Sequence, residues 1–152
     1  MEIKFITKDS IGYEVRLSEE LSELPEAAEI RKTVFIDEQG FENEFDEIDS
    51  RALHCLILYN GTAAAAGRLY RGEGSGEAHI GRIAAAKEFR GKGIGSLVME
   101  TLEEAARGRG YSEVSLSAQC RAENFYRSNG YSPVGGIYYD EFCPHIKMIK
   151  KL

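Results

Sequence analysis

From residue 24 onward, apolar side chains fall at Ala27, Ile30, Val34 and Phe35, the alternating three- and four-residue spacing of one helical face, with Arg31 on the same face. Pro25 suits a first turn and Gly40 a stop, so the pattern predicts a helix over residues 24–39. After an acidic stretch at 42–49 come three strand-like runs, 52–59, 62–70 and 77–86. Asn60-Gly61 joins the first two and a Gly72, Gly74, Gly76 cluster the next, which predicts an antiparallel meander. Ile94, Leu97, Val98, Thr101, Leu102 and Ala105 then repeat at helical spacing, ending at Gly108 and Gly110. Val114, Leu116 and Ala118 alternate as a strand, 121–129 forms a short helix stopped by Gly130, and 131–150 carries a final strand pair. The first two dozen residues fit a leading strand or hairpin. Strands in series that then alternate with helices predict an α/β (α+β) fold, a mixed sheet covered by helices. With no repeat, low-complexity tract or Pro-rich linker, residues 1–152 are expected to form a single domain.

Composition narrows the function classes. A formal charge of -6 gives no footprint for a phosphate backbone, so a nucleic-acid partner is not expected. No apolar run approaches a membrane span, and the opening MEIKFITKDS lacks the basic-then-apolar order of a secretory signal; a cytoplasmic protein without a membrane partner is expected. Cys55, Cys120 and Cys143 form an odd set without C-x-x-C spacing, which argues for reduced thiols and against a zinc site, and no metal is expected.

The chemistry concentrates where a strand runs through Arg90-Gly91-Lys92-Gly93-Ile94-Gly95-Ser96 into the strongest helix. A helix start presents unpaired amides and about half a positive charge, and glycines let the backbone curl around an anion. Arg90 and Lys92 add formal charge, which suits a pyrophosphate; the other reading is a plain glycine turn. No G-x-x-x-x-G-K-[ST] occurs and the third glycine of G-x-G-x-x-G is missing, so neither ATP nor a dinucleotide is favoured.

The segment Arg90-Gly-Lys-Gly93-Ile-Gly95 resembles the [RQ]-x-x-G-x-[GA] pyrophosphate loop of the GNAT acetyltransferases, and Ala122-Glu-Asn-Phe125-Tyr126-Arg-Ser-Asn-Gly130-Tyr131 resembles the A-x-x-F-Y-x-x-x-G-[FY] helix of the same superfamily. Residues 31–39 and Pro144-His145-Ile-Lys-Met148 are similar to the ElaA/YjcF-like branch. Ala84, Ala85 and Ala86 depart from the larger apolar residues frequent before the loop, and on the acceptor side Glu141-Phe142-Cys143 departs from the acidic residue and glycine that the branch usually has before an apolar residue and Pro-His.

The resemblance implies the GNAT fold, with a mostly antiparallel sheet of six to seven strands and about four helices. It also implies an N-acetyltransferase using acetyl-CoA (coenzyme A) as cosubstrate, with direct attack by a primary amine in a ternary complex and no covalent acyl-enzyme. The acceptor is then a small-molecule or protein amine, and a homodimer would be ordinary. It maps cofactor binding onto Ile83, Ala84 and Ala85 of the strand and onto Arg90, Gly91, Lys92, Gly93, Ile94, Gly95 and Ser96 of the loop. Gln119 either contacts cofactor or fixes local backbone. Tyr126 becomes the acid that protonates the departing thiolate, and Phe125 core.

The base is drawn from Glu38, Glu47, Asp49, His79 and His145, with Glu38 preferred because its helix resembles the one bordering the acceptor pocket. The acidic loop is either solvated or a lure for a cationic acceptor. His54 reads as a structural histidine, and Cys143 with His145 as a remote candidate for a nucleophilic dyad. The alternative to an enzyme is a non-catalytic acyl-CoA sensor with the same loop.

Overall fold

The computed structural model describes residues 2–6 and 12–152. Its centre is one eight-stranded sheet in the order β1-β2-β3-β4-β5-β6-β8-β7. The strands are β1 (Glu2–Ile6), β2 (Tyr13–Ser18), β3 (Leu53–Tyr59), β4 (Thr62–Arg71), β5 (Glu77–Ala85), β6 (Glu113–Gln119), β7 (Ser132–Asp140) and β8 (Cys143–Lys151). The α-helices are α1 (Pro25–Arg31), α2 (Ile94–Gly108) and α3 (Glu123–Ser128). All neighbours pair antiparallel except β5 and β6. The mixed, mostly antiparallel architecture is the expected one, and the N-terminal hairpin brings the sheet to eight strands. Asn60 and Gly61 take the positive φ values, 47° and 82°, that a tight hairpin turn demands.

The period-two pattern sorts side chains onto two faces. Leu69, Ile80, Val114, Leu116 and Ala118 pack with Val98, Met99, Leu102 and Ala106 of α2. On the other face Leu56, Leu58, Ala66 and Ala84 pack with Leu24, Ala27, Ile30 and Val34. At about 25 cal/mol per Å² of apolar surface removed from water, these two seams supply the main drive for docking the helices. Among the described residues no helix is long and apolar enough to cross a membrane.

The helix expected over 24–39 is α-helical only as far as Arg31; Lys32–Glu38 continue as a π-helix, with Gln39 N donating to Val34 O at 3.1 Å. The wider turn keeps Val34 and Phe35 buried while carrying Glu38 and Gln39 toward the sheet's open end. The helix expected over 121–129 is a 3-10 turn at Cys120–Ala122 followed by α3.

Arg31 is 1% exposed on the apolar face, and its charge is matched locally. Its Nε donates to Glu44 at 2.7 Å and its Nη1 to Asp49 at 2.8 Å. Arg68 donates to Asp46 at 2.7 Å and to Asp49 at 2.8 Å, and Arg82 meets Glu44 at 3.0 Å and Asp46 at 3.3 Å. Burial raises the Glu44 carboxyl despite these arginines. For Asp49 burial is outweighed by hydrogen bonds and charge from Arg31 and Arg68, which hold it at about 2. His54, 1% exposed, donates from Nε2 to the Asp49 carbonyl at 2.9 Å, the structural role expected for it.

Asp49→Asn is expected to lower the unfolding free energy near neutral pH by about 1 to 3 kcal/mol in denaturant titrations, because it takes one carboxylate from each of two buried arginines, leaving Arg31 with Glu44 and Arg68 with Asp46. The folded-state carboxyl lies below its ordinary 3.8. Its contribution is therefore full above that value and lost as pH falls through about 2, so the gap between wild type and variant narrows across this window.

Candidate active site

The site begins as a failure of strand pairing. β5 and β6 are in register only at Glu77, Ala78 and His79 with Glu113, Val114 and Ser115, although β5 continues to Ala85 and β6 to Gln119. Beyond His79 the parallel strands part. A bulge deepens the gap: Arg82 and Ile83 occupy the space opposite Gly67, and Arg82 has φ 56°. Its guanidinium donates from Nε to the carbonyl of Glu44 at 3.0 Å, tying the bulge to the acidic loop.

One cleft, about 640 Å³, opens between the end of β5 and the start of α2. Ile83, Ala84 and Ala85 form its strand wall, and Arg90, Gly91, Gly93, Ile94, Gly95 and Ser96 its loop wall; Lys92 does not line it. Gly91 and Gly93 take φ of 77° and 78°, and a Cβ on either would project into open space. Among the described residues no backbone bond uses the amides of 91–96 before Leu97 N donates to Gly93 O at 3.2 Å. Those donors at the helix start form a cradle that fits a diphosphate. A Cβ on Gly95 would lie 3.0 Å from the Phe125 ring, so glycine there lets α3 seat against the loop. Arg90 donates from Nη2 to Glu38 at 2.6 Å and from Nε to the Ala85 carbonyl at 3.0 Å.

A second cleft, about 250 Å³, adjoins the first where the strands part and is lined by Ile80, Arg82, Ser117 and Gln119. Tyr126 stands in the wall of both, beside Ile83 and Gln39. Burial pushes its phenol up to about 12, so it holds its proton throughout the neutral range. His145, 6% exposed, lines the second cleft and sits between Tyr138, stacked at 6.0 Å, and Phe41, edge-on at 6.4 Å. Its Nδ1 lies 2.9 Å from the carbonyl of Cys143, which can only accept. Nδ1 therefore carries a proton, and Nε2 is the nitrogen left for a partner in the cleft.

The other candidates are placed apart. Glu38 lines the first cleft and not the second, with its carboxylate on Arg90. Asp49 is bound by two arginines, and Glu47 lines neither cleft. His79 lines a third cavity, where burial lowers it to about 4. Gln119 sits in the second cleft, donating to Gln39 at 2.8 Å and accepting from Arg121 at 2.8 Å, which is a bracing role. The Cys143–His145 dyad is corrected: the ring bonds the cysteine's carbonyl, while the thiol, raised by burial, points to Pro144 O at 3.7 Å. In the acidic loop Glu44 is buried and Asp49 half-buried, and both, like the exposed Asp46, are paired with arginine, while Glu42 and Glu47 are exposed. Arg82 and Gln39 were missed from sequence; a polar Gln-Gly step ending a helix was the available signal for Gln39. Among the described residues no group of three or more His, Cys, Asp or Glu is arranged to hold a metal.

Comparison with known proteins agrees with this geometry. The uncharacterized N-acetyltransferase YjcF of Bacillus subtilis is 33% identical over 131 residues, 84% of this chain and 92% of that protein. The crystal structure of ElaA from Escherichia coli superposes with a TM-score of 0.77 at 26% identity, covering 90% of this chain and 99% of the other. An acyl-CoA N-acyltransferase structure from Pseudomonas aeruginosa superposes with a TM-score of 0.78 at 28% identity, covering 91% and 99%. The sequence profile of the acetyltransferase (GNAT) family matches residues 16–131, and with this fold and loop the chain belongs to that family, whose cosubstrate is an acyl-CoA.

Proposed function

We propose that the protein is an N-acetyltransferase that moves an acetyl group from acetyl-CoA to a primary amine by direct attack, with Tyr126 as the acid. The observation that carries the reading is that Tyr126 lines both clefts, so a group held in one can meet a group held in the other across its hydroxyl. A coenzyme A sensor would account for the first cleft and leave the second without a role.

The donor's diphosphate would lie on the amides of 91–96, with Arg90 adding charge, and its pantetheine arm would run along the β5 edge that β6 leaves unpaired. The acceptor amine would enter from the second cleft. An alkyl ammonium has a pKa near 10.4 and must lose a proton before it attacks. His145, with Nε2 free and its tautomer fixed by the Cys143 carbonyl, is better placed for that proton than Glu38, which is engaged by Arg90 on the donor side. The amine nitrogen forms a bond to the thioester carbon, the carbon–sulfur bond breaks, the thiolate takes the Tyr126 proton, and the surplus proton on the new amide nitrogen leaves to restore the tyrosine hydroxyl. Chain amides released on β5 would face the developing oxyanion.

Tyr126→Phe is expected to lower kcat by about 10²-fold or more while coenzyme A affinity is retained, measured by free-thiol release and calorimetry. His145→Gln should also lower kcat, with partial recovery at high pH, where free amine is plentiful. Gly93→Val should weaken coenzyme A binding at least about tenfold, since it forces a side chain into a φ of 78° at the cradle. Absence of saturable coenzyme A uptake by wild type, or of thiol release with a broad amine panel, would overturn the reading.

A further inference from the structure

The sheet face that carries the second cleft holds a strip that α1 does not cover. His79, Ser115, Ser117, Lys147, Gln119 and His145 lie side by side on it, as the registers His79↔Ser115, Ser117↔Lys147 and Gln119↔His145 require. At these positions a covered sheet would carry apolar residues, as the opposite face does with Val114, Leu116 and Ala118. The strip is instead the floor of a groove. Its near end is the second cleft; its far end is a cavity of about 550 Å³, and Ser117 stands in the wall of both. The Ser117 hydroxyl is hydrogen-bonded to Tyr138, which lines the far cavity. From Gln119 to Ser115 is four residues, roughly 13 Å at strand rise.

The far cavity differs in chemistry from the near one. Arg51, Arg71 and Lys147 line it against Glu73 and Glu77, a cationic surplus in a chain of formal charge -6. Arg51 lies over the Tyr70 ring at 5.5 Å, and Tyr70 packs on His79 at 4.9 Å, giving the cavity an aromatic shelf with a guanidinium at its edge. Glu77 is largely occupied: it accepts from the Gly74 amide at 2.9 Å and stands 3.8 Å from Lys147. Burial holds His79 uncharged, so the positive charge belongs to the arginines and the lysine.

We propose that the acceptor is an elongated amine whose far end carries a carboxylate or phosphate, lodged beside Arg51 and Lys147 while the amine reaches the cleft at Tyr126. This rests on the acetyltransferase reading. It assigns the far cavity as the specificity site, since an anion there is attracted by fixed charge and its distance from the amine is set by the groove.

The test is steady-state kinetics with three matched series of primary amines of rising length, ending in a carboxylate, a phosphate or a neutral amide. Expected is a KM at least tenfold lower for an anionic acceptor than for its amide, with the ratio peaking at one chain length of the series; the carboxylate and phosphate arms identify the head group. Lys147→Glu and Arg51→Glu should each shrink that ratio severalfold, with coenzyme A binding confirming that the variants fold. Equal KM for anionic and neutral series, or a ratio indifferent to both reversals, overturns the inference and leaves acetyl transfer standing. Saturable coenzyme A binding without turnover of any series overturns the acetyltransferase reading and this inference with it.

Discussion

The rest of the molecule depends on β5 and β6 pairing for three residues and then separating. Parallel strands buried on both faces usually stay in register, because every unpaired backbone group must find another partner. Here the bulge at Arg82 and Ile83 ends that regularity, and the released strand edges border two adjoining clefts that share Gln39, Ile83 and Tyr126. One defect in a ladder thus provides two binding surfaces with a shared wall. Tyr126 is set in that wall because α3 follows β6 through a single 3-10 turn, and because Gly95 leaves room for the neighbouring Phe125.

Holding such an opening apart requires rigid supports. The arginines Arg31, Arg68 and Arg82 reach the acidic loop from α1, β4 and the β5 bulge respectively, and each finds carboxylates there. The loop has little apolar surface of its own beyond Phe41 and Phe45, so its position above the second cleft is fixed mainly by these charges. Buried ion pairs add little net stability over apolar packing, yet they penalise heavily any geometry in which a partner is lost. The network therefore suits the task of fixing one loop conformation more than that of raising overall stability.

Much of this was legible in the sequence. The meander, α2 and the glycine loop follow from periods of two and 3.6 and from positive-φ turns, all local signals. The π-turn at Lys32–Glu38 was not, since the two helix types differ too little over seven residues to leave an apolar pattern of their own. Glu38 was preferred as the base from its neighbourhood on a helix, and the widened turn carries it to Arg90. His145 was one name among five, because the carbonyl that fixes its tautomer and the rings that flank it come from β7, β8 and the acidic loop. Composition described that loop as excess negative charge. Its arginine partners stand up to 38 residues away in the chain, a separation no window of the sequence spans.

The contact between Arg90 and Glu38 bears on how the empty and loaded forms compare. Without a donor, the guanidinium already has an anion to satisfy it at 2.6 Å, so the loop's strongest charge is internally neutralised. In the proposed donor site an arriving diphosphate would compete for a cation that already has a partner, and a glutamate displaced from it would be left beside a polyanion. Part of the Coulomb attraction is therefore spent on exchange. On the proposed reading, selectivity for the nucleotide carrier would then fall to the uncharged amide cradle, which would recognise shape and lone pairs and be less sensitive to salt than a side-chain cation.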